Sequence, residues 1–388
     1  MTEAVLTINA GSSSLKFALF PVQDDFPALL RGKVAGIGTA AAFAARDHDG
    51  QPVDQPMSVA SDVSPDALIT DLLRWLGRQM PDVDIVAVGH RVVHGGRHHD
   101  GPARVTTALM AELTDLVPLA PLHQPHNLAA IAQVARVLRH TPQVACFDTS
   151  FHRSQGPLAQ MFALPASVTA AGVMRYGFHG LSYAYIADAL TGLSPHAEGR
   201  VIVAHLGNGA SMCALYKGRS VATSMGFTAL DGLMMGQRCG ALDPGVVLYL
   251  MDEMHLTSAQ VGTMLYRESG LLGVSGISSD MAVLESSHAP LASLAIDMFC
   301  HRAAGELAAL ATANGGLDAI VFTAGIGENS ARVRRLICAR LAWLGVVLDG
   351  EANARHATQI GAADSAVAVM VIPTDEESVI ANAARQWA

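Results

Sequence analysis

The sequence predicts an α/β fold built twice, two similar halves with a central cleft. Three internal echoes predict it. Val5–Phe20 (VLTINAGSSSLKFALF) and Arg200–Leu215 (RVIVAHLGNGASMCAL) each run apolar, break around an asparagine among small residues, and run apolar again. That is the pattern of strand, turn, strand. Asp84–Gly96 and Asp318–Asn329 each give an Asp, an apolar strand and a Gly-rich stretch; Val144–Thr149 and Val369–Asp375 are each a buried strand ending on Thr and Asp. Chance likeness among strand ends is the alternative, and three echoes in one order weigh against it. In such a fold the turns of both halves face one ligand, and a polyphosphate suits them best.

Composition excludes other classes. The chain has 388 residues, 51% hydrophobic and 15% charged, enough for two cores in a compact protein. A net charge of −9 argues against a nucleic-acid partner but not against one small anion held by a few Arg and Lys. Five scattered cysteines without a C-x-x-C pair read as reduced thiols, hence a cytoplasmic location. There is no signal-peptide pattern, and no apolar run approaches the ~20 residues that span a bilayer, so no membrane partner is expected.

The elements follow in order. Residues 32–60 are Ala- and Gly-rich without a period and give no assignment. Ser64-Pro65, an N-cap and N1 pair before Leu68, Ile69, Leu72, Leu73 and Leu76, predicts an amphipathic helix over 65–79. A strand at 84–88 leads into the Gly-rich stretch Gly89–Gly96, and a loop at Pro118–Pro125 carries His123 ahead of a helix over 127–139. A strand at 143–147 delivers Asp148 to its C-terminal end, the edge where ligands collect in open α/β sheets. The Gly-flanked loop Arg175–Gly180 precedes a helix at 182–190. Gly207-Asn208-Gly209 predicts a tight reversal with positive φ.

Ser224–Gly245, long and irregular, reads as a lid or pocket wall around Arg238. A helix over 291–313 and a strand at 319–323 follow, then a Gly-rich loop at Gly325–Ser330 before a helix at 331–343, an anion site by pattern. A strand at 367–372 ends at Pro373–Glu377 with a closing helix behind it. The expected domains are 1–150, completed by the helix 378–388, and 151–377.

Taken together, Asn9-x-Gly11-Ser12-Ser13-Ser14-x-Lys16, Gly89–Gly96, Phe147-Asp148-Thr149-x-Phe151-His152, Tyr176–Gly180, His205–Gly209, Gly325–Asn329 and Pro373–Glu377 resemble the acetate kinase family. The motifs run in family order from residue 5 to the C-terminus. The resemblance implies the duplicated actin-like (ribonuclease H-like) fold of actin, hexokinase and the heat-shock ATPases. It also implies reversible, ATP-dependent phosphorylation of a short-chain carboxylate, acetate to acetyl phosphate, by a homodimer.

Transfer of a phosphoryl group to a carboxylate needs alignment and charge neutralisation more than covalent help. The acceptor, with a pKa of ~4–5, is already ionised at neutral pH, so no general base is required. Asp148, for which the resemblance offers a proton-shuttle role, is therefore expected to position a group and to be essential. Arg91 and Arg238 are the cations for the acyl and transferring groups, guanidinium being a planar fork that keeps its charge. His179 is a donor to the equatorial oxygens.

The resemblance places Val93, Leu122, His123, Phe178 and Ala229 at the acyl pocket, Ala229 standing where the family usually has Pro. It gives the nucleotide to Ser12, Ser14, Lys16, His205, Leu206, Gly207, Asn208, Gly209, Asp280, Met281, Ala282, Gly325, Ile326, Gly327, Glu328 and Asn329. Ala282 stands where an Arg near the adenine is usual, and simple turn formation is the other reading of the glycines. Asn9 and Glu376 are the expected ligands of Mg2+, with Mn2+ as a substitute. The alternatives are a propionate- or butyrate-preferring kinase, and a non-catalytic actin-like ATP-binding module. Arg238 and the Asp148/His179 pair speak against the module, since a nucleotide clamp has no use for them.

Overall fold

The computed structural model describes residues 1–11, 14–23, 27–60 and 65–388, the side chains of residues 65 and 66 excepted. The chain divides into two compact units, Met1–Phe151 with Asp375–Ala388, and His152–Thr374.

The first unit carries strands β1 (Thr2–Ala10), β2 (Ser14–Pro21), β3 (Leu30–Ala35), β4 (Ala42–Asp47), β5 (Val83–Val92), β6 (Ala103–Arg104) and β7 (Gln143–Phe147), in sheet order β4-β3-β2-β1-β5-β7-β6. The second carries β8 (Arg200–Leu206), β9 (Ala210–Tyr216), β10 (Arg219–Thr223), β11 (Ala319–Thr323) and β12 (Ala368–Val371), in order β10-β9-β8-β11-β12. Laid side by side, β3-β2-β1-β5-β7 and β10-β9-β8-β11-β12 share the same sequence of pairings. Two antiparallel steps come first, then two parallel ones. The three sequence echoes are these equivalent strands, so the duplication is a property of the fold.

The parallel strands read as continuous apolar runs because they are buried on both faces. On one face of the first sheet, Phe17, Phe43 and Trp75 meet at centroid distances of 4.9–6.0 Å. Trp75 is brought there by the helix Pro65–Gln79, whose Leu68, Ile69, Leu72 and Leu76 are buried at the expected helical spacing. Ser64, its expected N-cap, lies outside the described residues. The second sheet is backed by the helix Pro290–Ala313, whose buried stripe alternates Ala292, Ala295 and Ala303 with Ile296, Phe299 and Leu307.

Five local expectations are corrected. Arg91 is not in a loop: β5 continues through Gly89, His90 and Arg91 because β7 pairs alongside, Arg91 opposite Cys146. Gly89 is required there for close approach, since a Cβ would lie 2.5 Å from Ile380 Cγ2 of the helix Glu376–Arg385. None of Gly207, Asn208 and Gly209 takes a positive φ. The loop between paired Leu206 and Ala210 has three residues, so the two-residue mirror-image turn is not used. Ala324–Asn329 is a helical turn and not a loop, started by Ala324 at φ 65°. The helix behind it ends at Ala339. Finally, residues 32–60 include most of β3 and all of β4, whose half-exposed alanines leave no clear alternation to read.

Candidate active site

In the first unit, parallel strands β1, β5 and β7 present Asn9, Arg91 and Asp148 at their C-terminal ends. Arg91 Nε donates to Asp148 Oδ1 (2.9 Å), Nη2 to Oδ2 (2.6 Å) and Nη1 to Asn9 Oδ1 (3.3 Å). The Asp148 side chain is 2% exposed and that of Arg91 20%. A guanidinium has five N–H groups, so two remain on Arg91 for an incoming anion. Burial opposes the charge of Arg91, but Asp148, Glu376 and Glu377 outweigh it and raise its pKa above that of an ordinary arginine.

Glu376 opens the last helix, behind Asp375, whose carboxylate caps the helix by accepting from Ser378 N. Burial pushes the Glu376 carboxyl up; Arg91 pulls it down, and Asp148 and Glu377 push it up further, with Lys16 a weaker opposing cation. Lys16 itself is exposed on β2, in register with Asn9. Ser14 begins β2 and its carbonyl accepts from Gly11 N at 2.8 Å. Ser12 lies outside the described residues.

Three polar side chains brace the stretch after β5. Asn127 Oδ1 accepts from Val93 N (3.0 Å) while its Nδ2 donates to Ala10 O (2.7 Å). Gln124 accepts from His94 N and donates to His94 O, and Thr149 Oγ1 accepts from Gly95 N. Val93 is buried, and Leu122 and His123 are half-buried just ahead of the helix Gln124–Val137.

The second unit assembles its own cluster. His179 caps the helix Gly180–Leu193 in a left-handed conformation, φ 57° and ψ 23°. Its Nδ1 pairs with Ser211 Oγ at 2.8 Å, and its ring stacks on His205 with centroids 4.2 Å apart. Arg238 Nη1 donates to Ala229 O at 2.9 Å, which orients the guanidinium from within the irregular stretch after β10. Gly236 N donates to Asn208 O at 3.0 Å, and Gly236 has no room for a side chain because Asn208 Oδ1 occupies that space. Asp280 caps the short helix Met281–Ser286 by accepting from Ala282 N. Phe178, Leu206 and Met281 are buried, so any contact of Leu206 and Met281 with a ligand is through backbone.

In the turn Ala324–Asn329, Glu328 Oε1 accepts from Ala324 N and Thr374 N, and Asn329 Nδ2 donates to Gly325 O. Gly327 packs on β8, a Cβ there standing 3.5 Å from Ala204 O, whereas Gly325 and Asn329 are exposed and Ile326 half-buried.

Several of these supports escape sequence reasoning. Ser211 is one serine in an apolar strand. Arg334, fully buried, donates to the carbonyls of Gly327, Glu328 and Asn353 and to Asn353 Oδ1, fixing the turn from behind. Its only sequence signal is a cation on the apolar face of a helix.

A duplicated α/β fold with an anchored arginine–aspartate pair on one sheet edge and a histidine–arginine cluster on the other is that of a phosphotransferase. The Acetokinase family profile matches residues 4–382, and the chain belongs to that family. Acetate kinases from Rhodopseudomonas palustris and Nitrobacter hamburgensis are 50% and 49% identical to it, over 98% of this chain and 98% and 95% of theirs. Among solved structures, a propionate kinase from Francisella tularensis superposes with TM-score 0.90 and acetate kinase from Porphyromonas gingivalis with 0.87. Each is 34% identical, with 99% of both chains covered.

Proposed function

We propose that the protein is an ATP-dependent acetate kinase that reversibly converts acetate and ATP to acetyl phosphate and ADP. The observation that carries this is the Arg91–Asp148–Asn9 constellation, in a chain matched to the family almost end to end. An acetate oxygen attacks the γ-phosphorus in line, the bond to the β–γ bridging oxygen breaks, and ADP leaves with the electron pair. No proton has to move. The uncommitted N–H groups of Arg91 hold the anionic acceptor, and Asp148 keeps the fork in one orientation. Arg238 and His179 donate to the transferring group as charge develops.

The second unit is assigned the nucleotide, through Gly207–Gly209, Asp280–Ala282 and Gly325–Asn329. Divalent metal fits the first unit: the donors are all oxygen, and burial together with the neighbouring carboxylates of Asp148 and Glu377 pushes Glu376 up, a penalty that a dication would relieve. Asn9 and Glu376 would hold it, Mg2+ in preference to Mn2+, and when bound it supplies charge neutralisation on the phosphates. Ala229, lacking a proline ring, favours acceptance of acids somewhat longer than acetate. One methylene is worth ~1–3 kcal/mol in such a pocket, so the acids should overlap.

The test is hydroxylamine trapping of acyl phosphate across a series of acids. Acetate and propionate should both give ATP-dependent hydroxamate; no product from any acid would overturn the reading.

A homodimer is also inferred. The helix Pro244–Asp252 buries only Leu250, while Val246, Leu248, Tyr249 and Met251 are exposed on it and Met254 just beyond. An apolar surface of that kind marks an interface, and a second copy is the occupant the family implies. Sedimentation should give twice the chain mass, and Leu248→Glu should halve it. A monomeric parent would contradict this. All five cysteines are unpaired and no helix among the described residues is long and apolar enough to cross a membrane, which supports a cytoplasmic location.

A further inference from the structure

We propose that Tyr183 is a positioning residue: through Ser211 it fixes the proton of His179 on Nε2, so that this nitrogen is a hydrogen-bond donor. The proposal rests on the assignment of His179 to the transferring group. Tyr183 is fully buried one turn into the helix that His179 caps, and its hydroxyl is hydrogen-bonded to Ser211 Oγ. Ser211, also fully buried on β9, reaches His179 Nδ1 with the same oxygen.

A serine hydroxyl has one proton and two lone pairs; accepting from both partners would strand the proton of buried Ser211, whose Oγ meets these two groups among the described residues, so the chain of three is ordered in one of two ways. In one, Tyr183 donates to Ser211 and Ser211 donates to Nδ1, leaving the imidazole proton on Nε2. In the other, Nδ1–H donates to Ser211 and Ser211 to the phenol oxygen. A phenol is a much stronger acid than an aliphatic alcohol and the better donor, which selects the first order. Burial, the largest cause, holds the phenol well above its usual pKa, so that it keeps the proton it donates.

The ring is held for this task. It is stacked on His205, whose Nδ1 pairs with Ser182 Oγ at 2.8 Å. A Cβ built on Gly209 would stand 3.5 Å from His179 Nε2 and 3.8 Å from Arg238 Nη1. Both nitrogens therefore address the open side of one glycine. A donor Nε2 beside the guanidinium complements an anionic oxygen there, whereas an Nε2 lone pair would repel it. His205, Tyr183 and Arg238 are ionisable groups near the ring.

Tyr183→Phe keeps the buried volume and removes the phenolic donor. It should lower kcat about tenfold while KM for acetate and ATP stays within about twofold. Ser211→Ala should do the same, and the double variant should be no slower than either single one, as expected of one relay. In 15N-histidine spectra, assigned through His179→Ala, the parent should show Nε2-protonated His179 and Tyr183→Phe a mixture of tautomers. Parent-like kcat in Tyr183→Phe, multiplicative losses in the double variant, or an Nδ1-protonated parent would each overturn the proposal. Full activity in His179→Ala would instead remove His179 from the transfer site. An inactive His179→Ala with a normal Tyr183→Phe would sink the relay alone.

Discussion

Asp148→Ala should turn over about a thousandfold more slowly than the parent, a loss typical of removing a group that preorganises transition-state charge. ATP affinity should stay within about threefold. The physical reason is the double hydrogen bond from Nε and Nη2 of Arg91. Without it, the 3.3 Å contact to Asn9 is the hydrogen bond left to orient the guanidinium among the described residues, and the fork no longer points two N–H groups at the acceptor. Asp148→Asn separates the two roles discussed for this residue. An asparagine oxygen still accepts one of the two bonds, so positioning predicts an intermediate loss of about ten- to a hundredfold. A proton shuttle predicts that Asn is as poor as Ala. Steady-state rates of the parent and both variants distinguish them. Since acetate enters as an anion, the intermediate loss is expected.

How much of this could be read from the sequence depends on the range of the interactions. The duplication was visible because an apolar run buried on both faces looks the same wherever it occurs: β1 and β8, β5 and β11, β7 and β12 are all such runs. The C-terminal end of β7 was therefore visible too, and with it Asp148, whereas Asn9 and Arg91 came from the family resemblance. Conformations decided by neighbours distant in sequence were not. Gly89 looks like a loop residue until Ile380 of the last helix is packed against it. Ala324–Asn329 looks like a phosphate loop until Glu328 folds back to cap it and Arg334 gathers its carbonyls. Ser211 and Tyr183 carry no motif of their own, and only the fold brings their hydroxyls to the ring of His179.

Arg238 carries the second large effect. It sits on an irregular stretch, its Nη1 donating to the Ala229 carbonyl, beside the ring of His179. A guanidinium assigned to the phosphoryl group in transit contributes ~10³–10⁵ in rate where arginines serve phosphoryl transfer. The decisive measurement is the pair of numbers for Arg238→Ala, kcat for acetate phosphorylation and the dissociation constant of ATP by calorimetry. Loss of at least about a thousandfold in kcat with ATP binding within about threefold is the expected result. Weakened ATP binding with turnover retained at saturating nucleotide would mean that Arg238 holds the ground-state nucleotide, and that phosphoryl transfer here is organised by other groups.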